Sequence, residues 1–308
     1  MIDTLNLWQD STAIAGGNTF AIAPYLSDVT ERQSETKGYS ISGNVLDYTV
    51  HVFERGVSLN GSLCKFLFGD NLQTLTRRTV GQAIEKLSDC LHLDISTAKA
   101  TRFDISTVTP TKRPPADYYA YLGQKPFFTR LQSNEDSLYY NNHQRQIIFY
   151  DKTKEAKAKG MPIPDIWKGC NLFRYELRYT KGINRQFKAD VTAAMLYDRA
   201  FYDTIIQNWY KEFKDIQKIK SNSFMIDDID NRKDAKEALF SFLLNEAGQN
   251  LVTDYLRELK ANNAFKSRSD YTKLKTDLNK MLVAKNGNKN DLTKELEIAF
   301  FDIAKDAR

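Results

Sequence analysis

Residues 171–180 read Asn-Leu-Phe-Arg-Tyr-Glu-Leu-Arg-Tyr-Thr. Side chains alternate between the two faces of a strand, and here the chemistry alternates with them. Arg174, Glu176 and Arg178 share one face, and Phe173, Tyr175, Leu177 and Tyr179 the other. The aromatic side predicts a sheet packed against helices. A carboxylate between two guanidiniums suits a metal or phosphate site, although the segment alone reads equally as a solvated antiparallel strand with salt-bridged polar residues. Two upstream segments favour the site. In Ala98–Val108, AKATRFDISTV, alternation puts Arg102 and Asp104 on one face. In Arg145–Tyr150, RQIIFY, a short strand runs into the charged segment Asp151–Glu155 and stops at Gly160 and Pro162, so Tyr150 falls at a strand-to-helix junction.

Working outward, Ile2–Trp8 alternates as a strand, and the polar stretch to Gly38 reads as a loop. Strands are expected at Tyr39–Ser42, Val45–Phe53 and Val57–Phe68, the last closed by the turn Gly69-Asp70-Asn71. Thr74 or Thr76 caps a helix whose apolar residues Val80, Ala83, Ile84, Leu87 and Leu91 recur at helical spacing. Pro110, Pro114 and Pro115 break the chain before a short helix at 116–122. Phe127–Gln132 and Ser137–Tyr140 then form a hairpin around residues 133–136. From Asp190 onward the pattern is helical. One stripe is Phe201, Ile205, Trp209, Phe213 and Ile216, and a second is Ala238, Phe242, Leu251, Tyr255 and Leu259. The fold class expected is α+β: a largely antiparallel sheet with helices on one face, followed by an all-helical C-terminal region. A polar patch at Lys218–Asn222 divides a domain of residues 1–219 from one of residues 220–308.

The 308 residues, 42% of them hydrophobic, suffice for one large or two ordinary cored domains. No apolar run approaches the roughly 20 residues of a membrane span, and the opening MIDTLNLWQD carries an acidic residue where a signal peptide needs basic ones. A cytoplasmic protein with no membrane partner is expected. Cys64, Cys90 and Cys170 are widely spaced, and His51, His92 and His143 form no HxH, HxxxH or HExxH pair. A metal would therefore sit on oxygen ligands, which favours Mg²⁺ or Mn²⁺ over Zn²⁺. The net charge of +5 lies in the first two thirds, because residues 221–308 carry 15 Lys and Arg against 15 Asp and Glu. The basic part suits contact with a nucleic-acid backbone, and the neutral part is expected to contribute no non-specific DNA affinity.

Tyrosine is a poor nucleophile near its ordinary pKa of about 10 unless positive charge or a metal stabilises the phenolate. Lys152, Arg145, Arg174 and Arg178 are the cations at hand, and a phosphodiester also needs its oxygens neutralised as charge builds. The segments TRFD (101–104), IIFYDKTKE (147–155) and FRYELR (173–178), with the opening MIDTLNLW and GSLCKFLFGDNLQTL at 61–75, resemble the phage and plasmid replication proteins related to the filamentous-phage gene II protein. The resemblance spans residues 1 to about 190.

It implies a rolling-circle replication initiator, a site-specific nicking and closing enzyme for DNA that is single-stranded or extruded at its origin. By position, Tyr150 would take up the 5′ phosphate, with Lys152 beside it. Asp104 and Glu176 would hold Mg²⁺ or Mn²⁺, while Arg102, Arg145, Arg174 and Arg178 would contact DNA phosphates. The expected setting is the cytoplasm of a bacterial host, with a host helicase or polymerase and a second copy of the chain as candidate partners. Two other readings stay open: an origin-binding protein without chemistry, and a metal-dependent nuclease that activates water.

Overall fold

The fold is that of a computed structural model, which describes residues 1–36, 38–133, 136–219, 231–283 and 291–307. Its strands in chain order are β1 (Ile2–Asp10), β2 (Ser27–Ser34), β3 (Gly38–Val45), β4 (Tyr48–Phe53), β5 (Gly56–Ser62), β6 (Lys99–Thr111), β7 (Thr129–Ser133), β8 (Ser137–Asn141), β9 (Arg145–Asp151) and β10 (Asn171–Tyr179). They form one ten-stranded antiparallel sheet in the order β2-β3-β4-β5-β1-β6-β10-β9-β8-β7. The three segments singled out in the sequence are thus three adjacent central strands, with β10 between β6 and β9.

The helices are α1 (Leu63–Phe68), α2 (Arg77–Leu91), α3 (Ala116–Tyr119), α4 (Lys152–Ala158), α5 (Ile183–Phe187), α6 (Arg199–Lys214), α7 (Arg232–Ala261), α8 (Arg268–Val283) and α9 (Asp291–Asp306). In α2, Thr76 and Thr79 make a reciprocal capping box, and Val80, Ala83, Ile84, Leu87 and Leu91 are buried as their spacing requires. The aromatic face of β10 is closed by α6 and α9. Tyr175 stacks on Trp209 at 4.7 Å between ring centroids and donates its hydroxyl to the Trp209 carbonyl at 2.7 Å. Phe300 of α9 meets Phe173, Tyr175, Trp209 and Phe213. Rings of this size dominate a core energetically, each burying well over 100 Å².

The sequence and the structure part company at several places. The polar stretch before Gly38, expected as a loop, contains short 3-10 turns and the fully paired strand β2. Val45–Phe53, expected as one strand, is broken by a two-residue turn at Leu46-Asp47 with Leu46 at φ +50°. Val57–Phe68 is strand only to Ser62, whose side chain caps the helix that follows at Lys65 N. The compact units are Met1–Lys218 with Glu295–Arg308, and Ile219–Lys294. The last helix therefore belongs mostly with the sheet, in contrast to the expected break after residue 219. Of that expected boundary patch, residues 220–222 lie outside the described residues, as do the side chains of Ala238 and Phe242 and the hairpin tip at 134–135. The second unit has its own core, Leu244, Val252, Leu256 and Leu278, formed between α7 and α8.

Candidate active site

Strand register alone assembles the polar face. On β10, Arg174, Glu176 and Arg178 lie opposite Val108, Ser106 and Asp104 of β6, and opposite Tyr150, Ile148 and Gln146 of β9. Tyr150 is fixed from both directions. Its strand is hydrogen-bonded on either side, and the next residue, Asp151, caps α4 by accepting from Lys154 N at 2.9 Å.

Glu176 is the hub. Its Oε1 accepts from the Tyr150 hydroxyl at 2.8 Å and from Arg174 Nε at 2.7 Å, and its Oε2 accepts from Arg178 Nε at 2.9 Å and Nη2 at 2.6 Å. Four donors fill the four lone-pair positions of a carboxylate. Burial would raise this carboxyl, but the charges of Arg174 and Arg178 overcome it and hold Glu176 at about 2. Asp104 accepts both Nε and Nη2 of Arg102, at 3.0 and 2.6 Å, and lies 3.5 Å from Arg178 Nε. For Asp104 burial wins over Arg102, and its pKa is raised.

Arg174 is fully buried. Beyond Glu176 it donates to the Asn71 carbonyl at 2.6 Å, to Ser106 Oγ at 2.9 Å and to Asp3. Asp3 in turn accepts from Ser62 Oγ at 2.6 Å. Lys152, the first residue of α4, is equally buried and donates to Asn71 Oδ1 at 2.8 Å and Glu155 Oε2 at 2.5 Å. Burial lowers its pKa, with Arg174 adding to the fall and Glu155 opposing it. Burial likewise pushes the Tyr150 phenol well above its ordinary value, more than Arg174 draws it down. The guanidinium of Arg174 and the ammonium of Lys152 each lie 6.0 Å from the Tyr150 ring centroid.

Seven of the eight residues expected at the site are brought together, and Arg145 is not. Parity along β9 puts it on the aromatic face, five residues from Tyr150, where it pairs with Glu212 of α6. The expected phosphate contacts also divide. Arg102 and Arg178 keep about a third of their side chains exposed, whereas Arg174 is only 2% exposed and faces inward. Residues the sequence did not single out are Asp3, Ser62, Asn71, Ser106 and Glu155. The signal for three of them was present, since Asp3 lies in the opening strand, and Ser62 and Asn71 in the segment 61–75, both already noted for resemblance.

Asp104 and Glu176 do not fit the divalent-ion site expected of them. Their oxygens are taken by guanidiniums and the phenol, and among the described residues no group of three or more His, Cys, Asp or Glu is arranged to hold a metal. An ion would enter only in exchange for an arginine. The charges also balance within the cluster: Asp3, Asp104, Glu176 and Glu155 face Arg102, Arg174, Arg178 and Lys152.

An α+β protein whose long antiparallel sheet carries a buried ionic face with a tyrosine at its margin is the class that fold and site define. The phage CRI family model, which describes the N-terminal part of a replication-associated protein of the gene II type, matches residues 1–201, and the chain belongs to that family. A comparison with curated proteins found no match. Among the described residues no helix is long and apolar enough to cross a membrane.

Proposed function

We propose that this replication-associated protein starts replication by nicking one DNA strand at an origin, with Tyr150 as the nucleophile. The observation that carries the reading is the hydrogen bond from the Tyr150 hydroxyl to Glu176, flanked by the Arg174 guanidinium. As built, the phenol is protonated and Glu176 is a weak base, because two arginines stabilise its charge. A phosphodiester arriving at Arg102 and Arg178 brings negative charge to those guanidiniums. That weakens their hold on the carboxylate and raises its proton affinity where the phenol proton already points. The phenol oxygen attacks phosphorus, its proton passes to Glu176, and the P–O bond to the 3′ oxygen breaks. The 3′ oxygen leaves protonated by water as a primer end, while the 5′ phosphate stays on Tyr150. Arg102 and Arg178 neutralise the charge that builds on the nonbridging oxygens, and Lys152 adds a positive field behind the ring. Because the ester energy is kept in the phosphotyrosine, reversal closes a strand without ATP.

Tyr150→Phe tests this. The ring still packs and only the nucleophilic oxygen is lost, so nicking and the protein–DNA adduct on a denaturing gel are expected to disappear while origin binding stays within a few-fold. A covalent band that persists in the variant would assign the chemistry to another residue.

A further inference from the structure

The neutral charge of residues 221–308 conceals a polarised arrangement. Where α7 turns into α8, a cavity of about 690 Å³ is lined by Lys260, Lys266, Arg268 and Lys275, together with Phe265 and Tyr271, and no acidic residue lines it. None of the four cations makes an ion pair among the described residues, in contrast to every cation of the Tyr150 cluster. The turn that presents them is held from within. The Tyr271 hydroxyl accepts from Phe265 N at 3.0 Å and lies 3.3 Å from the Leu259 carbonyl, and the two rings meet edge to face at 4.9 Å. The cations are therefore displayed on a fixed scaffold, close together and uncompensated, which costs repulsion in the free protein and is relieved by a polyanion.

We propose that this cleft binds the phosphate backbone of DNA, as a contact lying beyond the family-matched residues 1–201. Lysine and arginine without a carboxylate partner suit successive phosphates, and the cavity is roomy enough for a stretch of backbone rather than a lone ion. A bilayer surface is the poorer match. Surface-seated helices anchor through exposed apolar side chains, and of the large hydrophobic residues exposed in the described chain none falls between residues 256 and 283. The inference rests on DNA being the partner, as in the proposed function, but not on the tyrosine chemistry.

The test uses the full chain with Lys260, Lys266, Arg268 and Lys275 all changed to Ala. A counterpart keeps the charge (Lys260→Arg, Lys266→Arg, Arg268→Lys, Lys275→Arg). Binding of labelled single- and double-stranded oligonucleotides of unrelated sequence is measured by anisotropy across a salt series. Each lost phosphate contact is expected to lower the slope of log affinity against log salt by about 0.7 on single strands or about 0.9 on duplex. The alanine variant should therefore lose roughly 2 to 3 in slope and at least tenfold in low-salt affinity, and the charge-keeping variant should lose neither. The larger change identifies which form of DNA the cleft takes. Unchanged slope and affinity on both forms would overturn the proposal, as would unchanged DNA binding with a loss confined to anionic vesicles. Adduct formation at saturating protein is expected to survive in the alanine variant, and the salt slope to survive in Tyr150→Phe, so failure of either reading is visible separately.

Discussion

Replacing Glu176 with Gln removes one charge from a buried cluster while preserving its shape, and the structure sets the size and pH dependence of the effect. Lowering a carboxyl from its ordinary 4.5 to about 2 corresponds to about 3 kcal/mol of folding stability. That agrees with the 3–5 kcal/mol that breaking a buried ion pair typically costs, because Arg174 keeps Asp3 and Arg178 keeps only a 3.5 Å approach to Asp104. The folded-state value is depressed, so the contribution is complete above pH 4.5 and is lost as pH falls toward 2. Urea unfolding followed by tryptophan fluorescence should show Glu176→Gln less stable by about 3 kcal/mol at pH 7, with about half of that gap gone by pH 3. A gap that is absent at pH 7, or that stays constant from pH 7 to pH 3, would refute the account of Glu176 as a carboxylate held ionised by its arginines.

Arg178→Ala and Arg102→Ala should depress nicking more than DNA binding while leaving the protein folded, whereas Arg174→Ala, which strands Asp3 and Glu176 without their shared partner, should cost at least about 3 kcal/mol in urea unfolding. If Arg174→Ala is as stable as Arg178→Ala, the buried role given to Arg174 is wrong. Asp104→Asn should cost less stability at pH 7 than Glu176→Gln, since burial already opposes the Asp104 charge. Mn²⁺ binding to the DNA-free protein, followed by electron paramagnetic resonance, should be weak and should tighten in Arg102→Ala, which frees Asp104; tight binding by the unaltered protein would contradict the saturation of its carboxylates. Trp209→Ala should lose about 3–5 kcal/mol through the cavity it leaves beneath Tyr175 and Phe300. Trp209→Phe should lose much less, because the buried indole N–H has no hydrogen-bond partner to forfeit.

Much of the centre of the fold was legible because period-2 alternation in β6, β9 and β10 is strong, and adjacent strands with a shared polar face have few ways to pair. The same parity separates Arg145 from Tyr150, which was readable in RQIIFY but is easily overlooked when cations are gathered by nearness in sequence. Other elements carry no local signal. Strand β2, SDVTERQS, is exposed along nearly its whole length at the edge of the sheet, so nothing alternates. Helix α1, LCKFLF, is too short to show helical spacing and reads as an apolar strand. The partners of Arg174 and Lys152 come from Asp3 and Asn71, distant in sequence, and their pairing is set by tertiary packing alone. In α9, Leu296, Phe300 and Ala304 mark a buried stripe, but periodicity cannot say which surface buries it.

The seat of Tyr150 also bears on motion. Its ring hangs from a strand paired on both sides and runs at once into a capped helix, so two side-chain torsions and the aryl-oxygen bond are all the freedom available to a group carried on its oxygen. A DNA end joined there would be moored to a pier, not held on an arm. Rejoining would then depend on how the free end of the strand travels back to that pier, and the length and stiffness of the intervening DNA, more than any swing of the protein, would set the rate at which circles close.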